Sequence, residues 1–128
     1  MSGPLRTPLA KIEGLGSAKA GTLHFWHQRM TAVALIPLSI WFAASALAYV
    51  GADQGAVAAY FADPINAVPM FLFIVAATYH MSLGLQIVIE DYVHNEGQKI
   101  ALLLLNRFAA WAIGAASAFA LVRMALHP

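Results

Sequence analysis

The sequence predicts an all-α membrane protein with three transmembrane helices. Of its 128 residues, 61% are hydrophobic and only 10% are charged, and the mean hydropathy is +0.71. Soluble domains average about 25% charged residues, so this composition is typical of a membrane protein. Three long apolar runs follow one another along the chain, each long enough to cross a bilayer. They leave no room for a sizeable soluble domain.

Residues 1–29 are predicted to form a polar, irregular N-terminal arm in the cytoplasm. The arm contains prolines, glycines and scattered charges, without the apolar core of about 7–15 residues that a signal peptide needs. Its last part, residues 22–29, is aromatic and basic. Phe25 and Trp26 in this part are typical of an interfacial belt at the membrane surface.

The membrane anchor is predicted over residues 30–125. Its spans are expected at about 30–50, 68–89 and 100–125. Pro37 lies inside the first span and predicts a mild kink, because it frees a backbone carbonyl one turn earlier. Residues 51–63 are predicted to be a short loop with two acidic residues and no basic one.

Pro69 is expected near the first turn of the second span, a position that proline tolerates. The second connection is predicted over residues 90–99, with Gly97 as the helix break. In the third span, the small residues 114–118 predict a close contact with another helix.

The distribution of basic residues predicts the orientation in the membrane. Six lie in the arm or around the second connection, namely Arg6, Lys11, Lys19, Arg29, Lys99 and Arg107. Only Arg123 lies near the opposite end. Basic residues stay on the cytoplasmic side, so the N-terminus and residues 90–99 are expected there. Residues 51–63 and the C-terminus are expected in the periplasm.

Charge and cysteine content exclude several kinds of function. The net charge is +1 and no basic tract occurs, so we expect no nucleic-acid partner. The sequence contains no cysteine, which excludes disulfides, cysteine-ligated iron–sulfur clusters and thiolate catalysis in this chain.

His80 is the main functional candidate, because it lies near the middle of the second span. An ionisable residue at this depth is costly to bury unless it is paired. One interpretation is a neutral histidine that hydrogen-bonds a neighbouring helix. The other is an axial ligand of a b-type haem, favoured by the space that Gly84 leaves one turn later. A haem with two histidine ligands would need a partner subunit, since the other histidines lie at or beyond the membrane edge.

Arg29, His24 and His27 lie at the cytoplasmic mouth of the first span. A lone interfacial arginine often only keeps its charge in the headgroup layer. Together with a histidine, Arg29 could instead bind haem propionates. The spacing does not decide between His24 and His27, because both can face the same side of a helix.

Asp91 and Tyr92 end the second span at the cytoplasmic interface. They can simply be an interfacial tyrosine and a hydrated acid. They can also form a quinone site, because a phenol can donate to a quinone carbonyl and a carboxylate can relay protons. On a helix Asp91 lies about 20° from His80 in angle and about 16 Å along the axis.

Two segments carry a resemblance to a known family. The first is Gly21-Thr-Leu-His-Phe-Trp-His-Gln-Arg29-Met-Thr-Ala, and the second is His80-x3-Gly84-x6-Asp91-Tyr92-Val93. In this order they resemble the small hydrophobic membrane-anchor subunit of succinate dehydrogenase (respiratory complex II) of the bacterial type. The similarity covers roughly residues 15–125.

The resemblance implies a four-subunit complex in the bacterial inner membrane. A flavoprotein subunit oxidises succinate, an iron–sulfur subunit passes electrons on, and two anchor subunits hold haem b and the ubiquinone site. It implies that His80 is one axial haem ligand and that the larger cytochrome b anchor subunit supplies the other. It further implies that Arg29 contacts a propionate, that Tyr92 hydrogen-bonds ubiquinone, and that Asp91 is the adjacent acid.

The function expected from the sequence is therefore that of a non-catalytic anchor, which docks the catalytic subunits and contributes to the haem and quinone sites. Two alternatives are a haem-free structural anchor and a small proton or solute transporter subunit. Transporters usually contain broken helices and inverted repeats, and neither is visible in this sequence. The identity of the quinone, the oligomeric state and the direction of the reaction stay open, since a fumarate-reducing complex would use similar anchors.

Overall fold

The computed structural model describes residues 7–9 and 20–128, and most of the predicted arm lies outside them. Residues 20–128 form four helices, α1 (Ala20–Ala48), α2 (Gln54–Ala62), α3 (Pro64–Tyr92) and α4 (Glu96–Leu126). The long helices have 29, 29 and 31 residues. At 1.5 Å per residue, each exceeds the roughly 30 Å of a bilayer core. The predicted class, an all-α protein with three spans, is confirmed.

Helix α1 begins ten residues before the predicted first span, at Ala20. The aromatic and basic segment 22–29 is therefore helical and continuous with the span, where the sequence predicted an irregular arm. Pro37 lies inside the helix without ending it.

The prediction of a simple loop over residues 51–63 is wrong, because this segment contains α2. The Asp53 carboxylate accepts a hydrogen bond from the backbone N–H of Ala56 at 2.8 Å and so caps the start of α2. Asp63 caps α3 in the same way, through the N–H of Ile65 at 3.0 Å. Each cap satisfies a backbone donor that the helix leaves free, which is typically worth about 1 kcal/mol. The two acidic residues are therefore helix caps.

The predicted break at Gly97 is also wrong. Helix α3 ends at Tyr92 and α4 already begins at Glu96, so Gly97 lies in the first turn of α4. The side chain of Asn95 accepts from the N–H of Gln98 at 3.1 Å and caps this turn. Asparagine is among the preferred residues at this position, and its cap outweighs the weak helix preference of glycine here.

Helix α3 lies in the middle of the anchor, with α1 on one side and α4 on the other. Among the described residues, α1 and α4 do not touch each other. Helices α1 and α3 run antiparallel, and the rings of Phe42 and Phe73 stack at 4.7 Å in their shared interface. Most large apolar side chains point outwards, and at most 11% of the most apolar window of each span is buried. Lipid or other membrane chains must therefore cover most of this surface.

The interface between α3 and α4 is close. A Cβ atom added to Gly114 would lie 3.5 Å from Cγ2 of Thr78, so the small-residue segment 114–118 does meet α3. About two turns before Gly114 in α4, the buried Asn106 donates its Nδ2–H to the Ser82 carbonyl at 2.9 Å. This hydrogen bond gives a polar residue inside the third span a partner on α3.

Candidate functional site

His80 lies in the middle of α3 and forms one hydrogen bond to α1. Its Nδ1 atom is 2.9 Å from Oγ1 of Thr31. The same Thr31 hydroxyl is 2.8 Å from the backbone carbonyl of His27, one turn earlier in α1. The imidazole is therefore tied to the neighbouring helix by one nitrogen, and Nε2 is the nitrogen left for a further ligand.

A cavity of about 490 Å³ lies between α1 and α3 beside His80. It is lined by His24, Phe25, Gln28, Arg29, His80 and Ile87, with Gly21 and Ala32. Cofactor sites typically have volumes of about 300–1,000 Å³. The structure thus brings three predicted site residues, His80, His24 and Arg29, to one cavity of suitable size.

Two polar atoms at this cavity are buried without a partner. They are Nε2 of His24 and Oε1 of Gln28, for which the described part of the chain offers no hydrogen-bond partner. A buried polar atom left unpaired costs about 1–3 kcal/mol. Such atoms at a cavity call for a polar partner beyond the described residues, such as a ligand or ordered water.

Arg29 is exposed and lines the same cavity. Its guanidinium carbon is 5.2 Å from the centroid of the Phe25 ring. Within the described residues, no carboxylate pairs with it. Its five N–H donors are therefore available to an anionic group at the cavity mouth.

The structure separates His24 from His27, which the sequence could not do. His24 lines the cavity, whereas Nδ1 of His27 is 2.7 Å from the hydroxyl of Tyr79. Residues three apart lie only about 60° from each other around a helix, so the spacing does not separate them; the different contacts of the two rings with α3 do.

Gly84 packs one turn from His80 against Gln28. A Cβ atom added to it would lie 3.9 Å from Nε2 of Gln28, an ordinary contact. Gly84 does not line the cavity itself. Within the described residues, a side chain as small as that of alanine therefore fits at this position.

Asp91 and Tyr92 lie away from this cavity, at the last turn of α3. Both are exposed, and the Tyr92 side chain keeps 78% of its accessible surface. The neighbouring Glu90 instead accepts a hydrogen bond from Gln86 at 2.9 Å. Asp91 and Tyr92 lie on an exposed surface, so a quinone pocket here would need lining residues from other chains.

A second cavity, of about 460 Å³, lies between α3 and α4 and has a largely apolar surface. Val75, Trp111 and Gly114 contribute to it, and Arg107 lies at its edge. Across residues 7–9 and 20–128, no three His, Asp or Glu side chains gather into a metal site.

Sequence reasoning missed Thr31 and Gln28. His24, Gln28 and Thr31 are four and three residues apart, so they form one polar stripe on a helix. The stripe is visible in the sequence only if the helix is known to begin near Ala20. Because these residues are predicted to lie in or beside an irregular arm, helical spacing is not applied to them and the stripe is missed.

Comparisons with known proteins agree with the two motifs. The family model described as succinate dehydrogenase/fumarate reductase transmembrane subunit matches residues 4–114. The succinate dehydrogenase hydrophobic membrane anchor subunit of Paracoccus denitrificans is 38% identical over 120 residues, which cover 94% of this chain and 92% of the relative.

Two further relatives extend this similarity. The hydrophobic membrane anchor subunit of succinate dehydrogenase from Rickettsia bellii is 36% identical over 93 residues, with coverages of 73% and 74%. The succinate dehydrogenase membrane anchor subunit of Reclinomonas americana is 30% identical over 95 residues, with coverages of 72% and 79%. These relatives and the three apolar helices identify a multi-pass protein of the bacterial inner membrane. The chain belongs to the family of succinate dehydrogenase/fumarate reductase transmembrane subunits.

Proposed function

We propose that this chain is the small anchor subunit of a succinate dehydrogenase, and that it supplies one axial ligand to haem b and part of the ubiquinone site. The observation that carries the proposal is the meeting of His80, His24 and Arg29 at one cavity in a member of this family. The chain has no catalytic role of its own, and it positions groups that other subunits use.

The residues present at the cavity fit a haem. His80 has Nδ1 engaged by Thr31, so Nε2 can bind iron. Among the described residues, the buried Nε2 of His24 has no hydrogen-bond partner and the guanidinium of Arg29 has no carboxylate partner, and both suit the carboxylates of propionates. His27 is the weaker candidate for a propionate, because Tyr79 already binds its ring. A bound haem supplies a one-electron redox centre between the helices.

The second axial ligand comes from the larger anchor subunit in this proposal. His24 lines the same cavity, but it lies seven residues from Thr31, the residue that His80 contacts. Seven residues correspond to about 10 Å along a helix. We assign His24 to a propionate, and the second ligand would come from the larger anchor subunit.

Tyr92 and Asp91 form this chain's part of the quinone site. The Tyr92 hydroxyl donates a hydrogen bond to a quinone carbonyl, and the Asp91 carboxylate orients the ring or passes a proton to it. Their exposure means that partner subunits complete the pocket and exclude lipid from it.

The proposed orientation puts this end of α3 in the cytoplasm, where the flavoprotein and iron–sulfur subunits dock. It follows the excess of basic residues near the N-terminus and the second connection. Succinate oxidation and the iron–sulfur relay belong to those partners, and this chain contributes positioning, electrostatics and proton access.

The haem proposal is tested with His80→Ala in the assembled complex. We expect the reduced b-type absorbance per flavin to fall severalfold or disappear, because one axial ligand is lost. His94→Ala, a histidine exposed beyond the end of α3, is the matched control and should leave the spectrum unchanged. An unchanged spectrum in His80→Ala would end the assignment of His80 as a haem ligand and leave it only the hydrogen bond to Thr31, whereas a wild-type complex without b-type absorbance would indicate a haem-free anchor.

The quinone proposal is tested with Tyr92→Phe. We expect slower quinone reduction, while succinate oxidation with a soluble artificial acceptor continues at the wild-type rate. Tyr49→Phe, at the opposite end of the helices, is the control. Equal loss of both activities in Tyr92→Phe would indicate damaged assembly and contradict a role at the quinone.

A further inference from the structure

The hydrogen bond between Thr31 of α1 and His80 of α3 bears on which ring nitrogen of His80 carries the proton. The Thr31 hydroxyl has a single proton and two lone pairs. Its oxygen is 2.8 Å from the His27 carbonyl and 3.1 Å from the Gln28 carbonyl. Carbonyl oxygens only accept hydrogen bonds, so these two distances favour a hydroxyl proton that points back along α1.

With its proton used in this way, Thr31 can only accept at His80. In this arrangement the proton of the 2.9 Å hydrogen bond between Oγ1 and Nδ1 is on Nδ1. In a neutral imidazole the other nitrogen, Nε2, then carries the free lone pair. This is the tautomer that a metal ion needs at Nε2.

The acceptor is also held in place. Threonine is branched at Cβ, and in a helix its hydroxyl commonly bonds the carbonyl four residues earlier, as it does here. Helix α1 thus orients the hydroxyl before any ligand binds. The imidazole of His80 is held by a fixed group on a different helix.

We propose that Thr31 is a positioning residue for the haem iron, because it sets the tautomer and orientation of His80 and strengthens its donation through Nε2. Partners of this kind usually change metal affinity by about 10–100-fold when they are removed. Thr31 is a neutral acceptor, so we expect the lower end of that range. The inference rests on the proposed function, which supplies the haem.

The test uses Thr31→Val in the complete complex, since valine keeps the shape and removes only the hydroxyl. We expect about tenfold weaker haem retention against a haem scavenger. We also expect a higher haem midpoint potential, because an imidazole that donates less favours ferrous iron, and a shifted low-spin ferric signal in electron paramagnetic resonance. Thr31→Ser keeps the hydroxyl and should restore all three properties towards wild type.

Thr78→Val is the matched control. Its hydroxyl also bonds a carbonyl of its own helix, that of Ile74 at 2.6 Å, but it faces Gly114 of α4. This variant should leave haem retention, potential and signal unchanged.

Two outcomes overturn the proposal. One is a Thr31→Val complex whose haem retention, potential and signal equal those of Thr78→Val. The other is a smaller yield of Thr31→Val complex in which the remaining haem has the wild-type potential and signal, since that indicates a purely structural role. The two proposals fail in distinguishable ways. If His80 is not a haem ligand, the His80→Ala complex keeps the wild-type b-type spectrum, whatever the result for Thr31→Val.

Discussion

The two interfaces of α3 differ in what they contain. Against α1 there is a polar stripe, a cavity with unpartnered polar atoms, and the bond from His80 to Thr31. Against α4 there are small residues in close contact, a largely apolar cavity and one buried hydrogen bond from the side-chain amide of Asn106 to the Ser82 carbonyl. One helix thus has a face suited to a ligand and a face suited to helix packing.

The difference teaches where polar groups in a membrane helix are structural and where they are functional. Asn106 donates its Nδ2–H to the Ser82 carbonyl across two helices, although its Oδ1 atom is also buried without a partner among the described residues. His24 and Gln28 remain unsatisfied on the other interface, although burying them costs free energy. Three predictions separate these two roles.

The largest effect is expected at the packing interface, from Gly114→Leu. A Cβ at this position already reaches ordinary contact with Thr78, so a longer side chain must push α3 and α4 apart. Overpacking of this kind costs about 1–3 kcal/mol. We expect a lower thermal transition of the assembled complex, whereas the haem spectrum per assembled complex stays unchanged. Gly114→Ala should be tolerated, and a changed spectrum in Gly114→Leu would show that the interfaces are not independent.

The second effect, on haem retention and not on stability, is expected from His24→Leu compared with His27→Leu. A charge-assisted bond to a propionate is worth about 1.5–3 kcal/mol, so losing His24 should weaken haem retention by about tenfold or more. His27→Leu loses only the bond to Tyr79 and should retain haem normally. Haem retention measured against a scavenger decides the matter, and a larger loss in His27→Leu would reverse the assignment.

The smallest effect on this chain itself is expected from Gly84→Ala. The added methyl group meets Gln28 only at ordinary contact distance, and alanine favours a helix by up to about 1 kcal/mol over glycine. Thermal stability of the complex should therefore be equal or slightly higher. If a flat cofactor packs beside Gly84, haem content falls in the same variant. Unchanged haem content would remove Gly84 from the haem site.

Much of the architecture could be predicted from the sequence. Long uncharged runs must form helices in lipid, because every backbone polar group has to be paired within the segment. This constraint gives the three spans without knowledge of their packing. The errors concern polar residues next to the spans. Asp53, Asp63 and Asn95 look like loop residues, but each caps a helix, and capping extends helical structure into segments that composition predicts to be irregular.

The candidate site could be predicted only in part. His80 was identifiable because an imidazole in a long apolar run is rare and expensive. Thr31 was not, because a threonine beside a membrane span has no distinguishing feature until the opposite helix is known. Gln28 was missed for the same reason.

The sequence by itself therefore determined that this chain has three spans, that a histidine lies in the second, and that its motifs resemble the small anchor of succinate dehydrogenase. Only the tertiary structure decided that His24 and not His27 lines the cavity, and that Thr31 binds His80. The physical reason is that spacing sets angles within one helix, but not the rotation of one helix relative to another. That rotation depends on side chains meeting across the interface, such as Phe42 with Phe73 and Gln28 with Gly84.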